Sequence, residues 1–360
     1  MSSRTASPGV VPSYLLARLA ESGRFPHAAA AARQTLTAGR PPFRARIDLS
    51  IDENGDLVAQ LSDAPNRTIS DAGNTQKLPG ILVRSEDDPP VDDAAVNQAF
   101  DGLGATFELL LAAFSRNSLD DAGAPLDASV HYGVDYDNAF WDGERMVFGD
   151  GDGEVFTGFT ASTTVIGHEL AHGVVQHTAN LEYQGQPGAL NESIADVFGA
   201  LTEQYLLGQT AAQATWLIGA EIFTDAVEGE ALRSMLHPGT AYDDDELGKD
   251  PQPDHMSGFV RTTEDNGGVH INSGIPNRAF ALFARELGGN AWEGAGLTWY
   301  RALTGGLSST ATFAQFAEAT ITAASAIDDA TAAAARRAWT TVGVLEDERD
   351  PSSGRGAHAD

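Results

Sequence analysis

Residues 163–179 read Thr-Thr-Val-Ile-Gly-His-Glu-Leu-Ala-His-Gly-Val-Val-Gln-His-Thr-Ala, and their apolar spacing predicts a helix over 162–179. Positions i and i+4 share a helix face, so His168 and His172 can reach one ion, and Glu169 between them can address a water on that ion. The five-residue pattern alone also suits an ordinary polar helix. Glu192, twenty residues past His172, changes the balance. It sits in Ala189-Leu190-Asn191-Glu192-Ser193-Ile194-Ala195-Asp196, on a second predicted helix behind a Gly/Pro turn over 184–188. Glu192 can supply a third ligand and leave a fourth position for water, as catalytic zinc requires. Asp196, one turn further on, can accept the free N–H of a ligating imidazole, with Asn191 as a second supporting residue.

Outward from this pair, the chain divides by pattern. Residues 10–35 hold two short helical patterns, with Leu15, Leu16, Leu19 and Ala20 on one face. Residues 43–63 alternate on either side of Glu53-Asn54-Gly55-Asp56, which predicts a hairpin. Residues 64–79 are polar and turn-rich and read as a linker or exposed loop. A helix is predicted over 91–115, and short strands within 129–160. Helices then dominate, at 162–179, 188–206, 273–287, 292–303, 311–326 and 328–340. The acidic, Gly/Pro-rich stretch 236–268 is a long loop, and loops of that length are usually functional. Residues 346–360 read as a frayed tail.

Composition narrows the function classes. The 360 residues hold no cysteine, which excludes disulfides, thiol catalysis and Cys-ligated zinc. With 51 acids against 22 Lys and Arg, the formal charge is −29, and a duplex-binding surface is not expected. That charge fits either a GC-rich genome or a salt-adapted surface. No run of 18 apolar residues marks a membrane span. The first residues carry no apolar signal-peptide core, so the expected location is the cytoplasm, or outside by a route without a signal peptide.

Taken together, these motifs resemble the thermolysin-like zinc metalloproteases. HELAH and ALNESIADVFG carry the resemblance first. Asp137-Asn138-Ala139-Phe140-Trp141, MVFGDGDG at 146–153, Leu232-Arg233-Ser234-Met235, Pro253-Asp254-His255 and the segment Asp265–Gly274 extend it over roughly residues 77–345. Pro12-Ser13-Tyr14-Leu15-Leu16 is similar to the compact propeptide of the protealysin subgroup.

The resemblance implies an α+β fold, with a β-rich lobe at 69–178 ending in the HExxH helix and a helical lobe at 179–345. Residues 1–68 would form a small propeptide of short helices plus a hairpin. His168, His172 and Glu192 would hold one Zn2+. Glu169 would be the general base, taking a proton from the water that zinc activates and passing it to the leaving nitrogen. Tyr183 and His270 would join zinc in stabilising the oxyanion, with Asp265 fixing the His270 tautomer. Arg233 would bind a substrate carbonyl. Asn138, Ala139 and Trp141 would line the edge on which the peptide lies extended, like an added strand. Phe156, Phe159, Val165, Ile218, Ile222 and Leu232 match the S1′ pocket and imply cleavage on the amino side of bulky hydrophobic residues.

One departure concerns calcium. Thr164, Thr215, Leu217 and Ala220 stand where the family's double calcium site has ligands, and only Glu203 remains, so that site is expected to be empty. A weak site near Thr224 and Glu230 is left open. The expected partners are peptide or protein substrates and the chain's own propeptide as intramolecular inhibitor. A separate protein inhibitor is left open; no nucleic acid or membrane partner is expected, and the chain is expected to be a monomer. Maturation is expected within 63–70, with Thr68–Ile69 as the bond. The other readings are a protease-like binding or regulatory protein that never matures, and a metal-binding protein with a chance HExxH.

Overall fold

The computed structural model describes residues 9–38, 50–51, 57–58 and 64–346. Two helices open it, α1 (Ser13–Leu19) and α2 (Pro26–Thr37), both where the apolar pattern predicts them. Pro12 stands extended at the α1 N-cap, and Pro26 opens α2, a position where its missing N–H costs nothing. The short strands β1 (Ser50–Ile51) and β2 (Leu57–Val58) pair antiparallel, in keeping with the predicted hairpin. The Asn54-Gly55 turn and the tail beyond 346 lie outside the described residues.

The stretch 64–79 is not a loop. It holds β3 (Arg67–Thr75), flanked by β4 (Ile81–Ser85) on one side and β5 (Leu126–Tyr132) on the other. Its polarity hides it, because ladder hydrogen bonds along both edges hold it where an apolar alternation is missing. The expected maturation bond, Thr68–Ile69, is therefore misplaced. Thr68 pairs with both Ser85 and Asp127, and Ile69 is fully buried, so that bond reaches no cleft unless the strand is unzipped.

Helix α3 (Ala94–Phe114) follows, with the Asp93 side chain accepting from the Ala95 and Val96 amides at its N-terminus. The sheet continues through β7 (Met146–Phe148) to β6 (Ala139–Trp141), in the order β4-β3-β5-β7-β6. β6 is thus the last strand of that sheet order, and its outer side is where an extended chain can add.

The long helices α4 (Thr163–Gln176) and α5 (Gly185–Leu207) pack against each other beneath that edge. They approach so closely that a Cβ at Gly199 would stand 2.3 Å from the Thr164 carbonyl oxygen. This contact brings the two motifs of the sequence together. Beyond α5, β8 (Leu217–Ile218) pairs with β9 (Arg233–Ser234). The acidic stretch 236–268 is mostly irregular, with β10 (Asp243–Asp244) against β11 (Gly248–Lys249).

Helix α6 (Asp265–Asn272) has no counterpart in the sequence reading. Its first turn is distorted by left-handed backbone at Asn266, Gly267 and Gly268, which masks the helical pattern. The remaining helices are α7 (Gly274–Leu287), α8 (Leu297–Thr304), α9 (Phe313–Ser325) and α10 (Asp329–Thr341). They pack around Trp299, which stacks on Trp339 at 5.6 Å and on Phe283 at 5.5 Å. Among the described residues, no helix is long and apolar enough to cross a membrane.

Candidate active site

His168 and His172 project from α4 toward Glu192 on α5, and all three are buried. The His168 Nδ1 lies 2.8 Å from Asp196 Oδ1, which only accepts, so Nδ1 carries the proton and Nε2 a lone pair. His172 Nδ1 faces Asn191 Oδ1 at 2.9 Å, which assigns the same tautomer. The two Nε2 atoms stand 3.2 Å apart, and Glu192 oxygens lie 3.5 and 3.6 Å from them. Burial lowers both imidazoles to about pKa 4, so they are neutral ligands near pH 7. Three Lewis bases facing one another with no proton between them repel unless a cation joins them. Zn–N bonds of about 2.0–2.1 Å in tetrahedral geometry put two nitrogens about 3.3 Å apart, so the donor set fits zinc.

Behind the ligands, Asp196 is a fully buried hub. It accepts from His168 Nδ1, from Arg233 Nε and NH2 at 2.8 Å each, and from Asn277 Nδ2 at 2.8 Å. Burial opposes its charge, but Arg233 and His168 outweigh burial and hold its carboxyl far below the usual range. Asn277 was not anticipated. It lies on α7, far along the chain, and nothing in its neighbourhood marks it.

Glu169 follows His168 on α4, and the Trp141 backbone N–H donates to its Oε2 at 3.0 Å. Trp141, expected on the substrate edge, thus also touches the acid from β6. Tyr183 donates its hydroxyl to Glu192 Oε1. The distorted start of α6 returns Asp265 onto His270, whose backbone N–H and Nδ1 lie 2.8 and 2.6 Å from its two oxygens. His270 Nε2 is 3.3 Å from Glu192. Burial pulls the His270 pKa down, and the Glu192 and Asp265 carboxylates more than offset it, pushing it up to about 9. Gln252 is a second unanticipated neighbour, its Nε2 donating to the His270 carbonyl and the Ser273 hydroxyl.

The cleft above these groups is filled by residues 9–11 of the same chain. The Val10 N–H donates to the Ala139 carbonyl at 3.1 Å, extending the sheet beyond β6. Arg233 NH1 donates to the Val10 carbonyl at 2.9 Å. Asn138 accepts from the Val11 N–H at 2.9 Å and donates to the Val11 carbonyl at 3.0 Å. The Gly9 carbonyl lies 3.2 Å from His270 Nε2. The residues expected to hold a substrate therefore hold the N-terminal segment.

Comparisons with known proteins agree with this geometry. Residues 45–176 match the model of the thermolysin metallopeptidase catalytic domain, and residues 179–344 match that of its alpha-helical domain. The chain belongs to the thermolysin metallopeptidase family. It is a metalloendopeptidase, and the family's cofactor is the zinc that His168, His172 and Glu192 can hold. An extracellular metalloprotease of Pectobacterium carotovorum subsp. carotovorum is 54% identical over 281 residues, covering 78% of this chain and 81% of that protein. An extracellular minor metalloprotease of Serratia marcescens is 47% identical over 198 residues, covering 55% of this chain and 56% of that protein. The solved precursor of protealysin, a metalloproteinase from Serratia proteamaculans, superposes with a TM-score of 0.85 at 48% identity, covering 94% of this chain and 99% of that one. The names of the first two correct the expectation of a cytoplasmic protein, since they point to export.

The residues matched to the family's S1′ pocket are all buried. Ile222 and Leu232 meet across Gly219, next to the Ile218–Arg233 pair of β8 and β9. Val165 lies on α4, one turn before His168. Phe156 packs on Phe159 at 5.8 Å and on Phe223 at 5.6 Å. At the matched calcium positions, Thr164 is buried and its hydroxyl accepts from the Gly219 N–H at 2.8 Å, so it ties α4 directly to the 217–222 loop.

Glu203 has a carboxylate neighbour that the sequence did not suggest. Burial, and then Glu221, push its pKa up to about 7. Its unfolded value is about 4.3, so the folded chain binds the extra proton, and that stability is lost as pH rises through 7. Because Glu221 is exposed, Glu221→Gln is expected to stabilise by only about 0.5–1 kcal/mol at pH 8 and by nothing at pH 5. Denaturant melts at the two pH values check this, and an equal gain at both would reject the pairing.

Proposed function

We propose that this chain is a zinc-dependent endopeptidase made as a self-inhibited zymogen. The observation that carries the reading is the occupancy of Asn138, Ala139, Arg233 and His270 by residues 9–11. The N-terminal segment through α2 acts as the inhibitor, and β3 is the first strand of the five-stranded protease sheet, so the maturation cut falls before Arg67. Its likeness to the protealysin precursor supports this division.

In the mature enzyme, bound zinc lowers the pKa of water and polarises the substrate carbonyl. Glu169, steadied by the Trp141 N–H, takes a proton from the attacking water and delivers it to the leaving nitrogen. His270, held in one tautomer by Asp265, and Tyr183 donate to the developing oxyanion. Arg233 grips the carbonyl of the residue after the scissile bond, and Asn138 grips the next residue. The apolar wall formed by Val165, Ile218, Ile222 and Leu232, with Phe156 and Phe159 behind it, favours a bulky hydrophobic side chain in S1′. The Thr164 hydroxyl replaces calcium in fastening the loop, so the fold needs no calcium there.

The test is cleavage of quenched peptides by the full-length protein before and after limited digestion with an unrelated protease. The expected result is little activity before and strong activity after. A zinc chelator should remove it, stoichiometric zinc should restore it, and a calcium-selective chelator should leave it unchanged. Leu or Phe should be preferred over Gly in the S1′ position by more than tenfold. Equal activity before and after digestion would overturn the zymogen reading, and activity that survives zinc removal would overturn the mechanism.

A further inference from the structure

We infer that Gly9–Val10 is itself a cleavage site, seated in the register of a substrate and cut within the same molecule before the N-terminal segment leaves. The inference rests on the proposed zymogen reading and goes beyond it, because an inhibitory segment need not lie in a cleavable register.

Three features set the register. The Gly9 carbonyl oxygen is on His270 Nε2, the donor that faces Glu192 from 3.3 Å, so this carbonyl lies at the reacting end of the cleft. The next residue, Val10, has both backbone groups bound, its N–H by the Ala139 carbonyl and its own carbonyl by Arg233. Its side chain is apolar and fully buried, as expected of the residue that follows the scissile bond in an enzyme cutting on the amino side of hydrophobic residues. Val11 continues the same alignment through both polar atoms of the Asn138 side chain. The bond between the carbonyl on His270 and the residue gripped by Arg233 is Gly9–Val10.

The local sequence builds this pose. Val10 and Val11 are β-branched and favour extended backbone. Pro12 steers Val11 away from the helical region, and α1 then carries the chain out of the cleft from Ser13. Gly9 adopts φ +88, and a Cβ there would stand 2.4 Å from the Ala139 carbonyl oxygen and 2.7 Å from Asn138 Oδ1. A side chain at position 9 would thus meet both the left-handed backbone and these two oxygens, so glycine suits the position that keeps its carbonyl on His270.

The reaction is an ordinary hydrolysis. Water adds to the Gly9 carbonyl carbon as Glu169 receives one of its protons. The Gly9 C–Val10 N bond breaks as Glu169 passes that proton to the Val10 nitrogen. The new carboxylic acid gives its remaining proton to the amine, leaving a Gly9 carboxylate and a Val10 ammonium. Residues 10–38 remain tethered and docked, so this cut precedes release.

The experiment follows intact mass and new N-termini of the zinc-loaded full-length protein over time, at two concentrations tenfold apart. The expected first product begins at Val10, at a rate independent of concentration, and Glu169→Gln yields none. Val10→Asp should slow it more than tenfold, and Val10→Leu should retain it. In the full-length Glu169→Gln protein, amide exchange provides a readout without catalysis, and the Val10 and Val11 amides should be protected. The inference is overturned if the first new terminus lies elsewhere while residues 1–9 stay attached. It also fails if the rate scales with concentration, or if those amides exchange freely. In each of these cases, cleavage of an external peptide after limited digestion would leave the zymogen reading standing, whereas its absence would remove both.

Discussion

Glu169→Gln should lower kcat for peptide cleavage by about a thousandfold, within the 10²–10⁴ range for a positioned acid–base group, while KM and zinc stoichiometry stay near their original values. The amide keeps the size of the carboxylate and can still accept the Trp141 N–H bond that the acid receives at 3.0 Å. The ligand nitrogens and the Asp196 hub are untouched, because Glu169 is not among the residues converging on the ion. What the variant loses is a base, since a carboxamide cannot take a proton from water. Steady-state kinetics on the digested protein, with zinc measured by mass spectrometry, check this. A loss of less than tenfold would assign proton transfer to another group, and loss of zinc would assign Glu169 a structural role.

Asp196→Ala should cost more than activity. Asp196 accepts four hydrogen bonds in the core, from His168, Asn277 and two of the three nitrogens of Arg233. Removing it leaves a buried guanidinium without its counter-charge, and breaking such a pair typically costs about 3–5 kcal/mol. It also frees the His168 ring to choose the wrong tautomer, which typically weakens a metal site by about 10–100-fold. The variant is therefore expected to unfold at lower denaturant and to yield zinc to a weaker chelator. Asp196→Asn, which retains one acceptor, should fall between. An Asp196→Ala protein with normal zinc affinity would show that Asn191 and packing alone orient the imidazoles.

The metal centre was legible because its logic is local. His168 and His172 are one helical turn apart, and Glu192 and Asp196 are one turn apart on the next helix, so periodicity alone puts each pair on one face. The amphipathic helices were legible for the same reason. β3 was not, because its stability comes from ladders to β4 and β5 and its residues carry little apolar pattern. α6 was hidden by its left-handed first turn. Segment polarity and side-chain preference point to the Thr68–Ile69 bond, but neither can show that these residues lie inside a sheet.

By itself, the amino-acid sequence determined the family and the three residues that can hold zinc, since each depends on residues a turn or a motif apart. Only the tertiary structure decided which buried groups share Asp196, that the Glu221 charge acts on Glu203, and that Gly9, Val10 and Val11 lie in the cleft. Arg233 meets Val10 across 223 residues, and His270 meets Gly9 across 261. Contacts over such separations follow from how whole elements pack, and no local period or propensity encodes them.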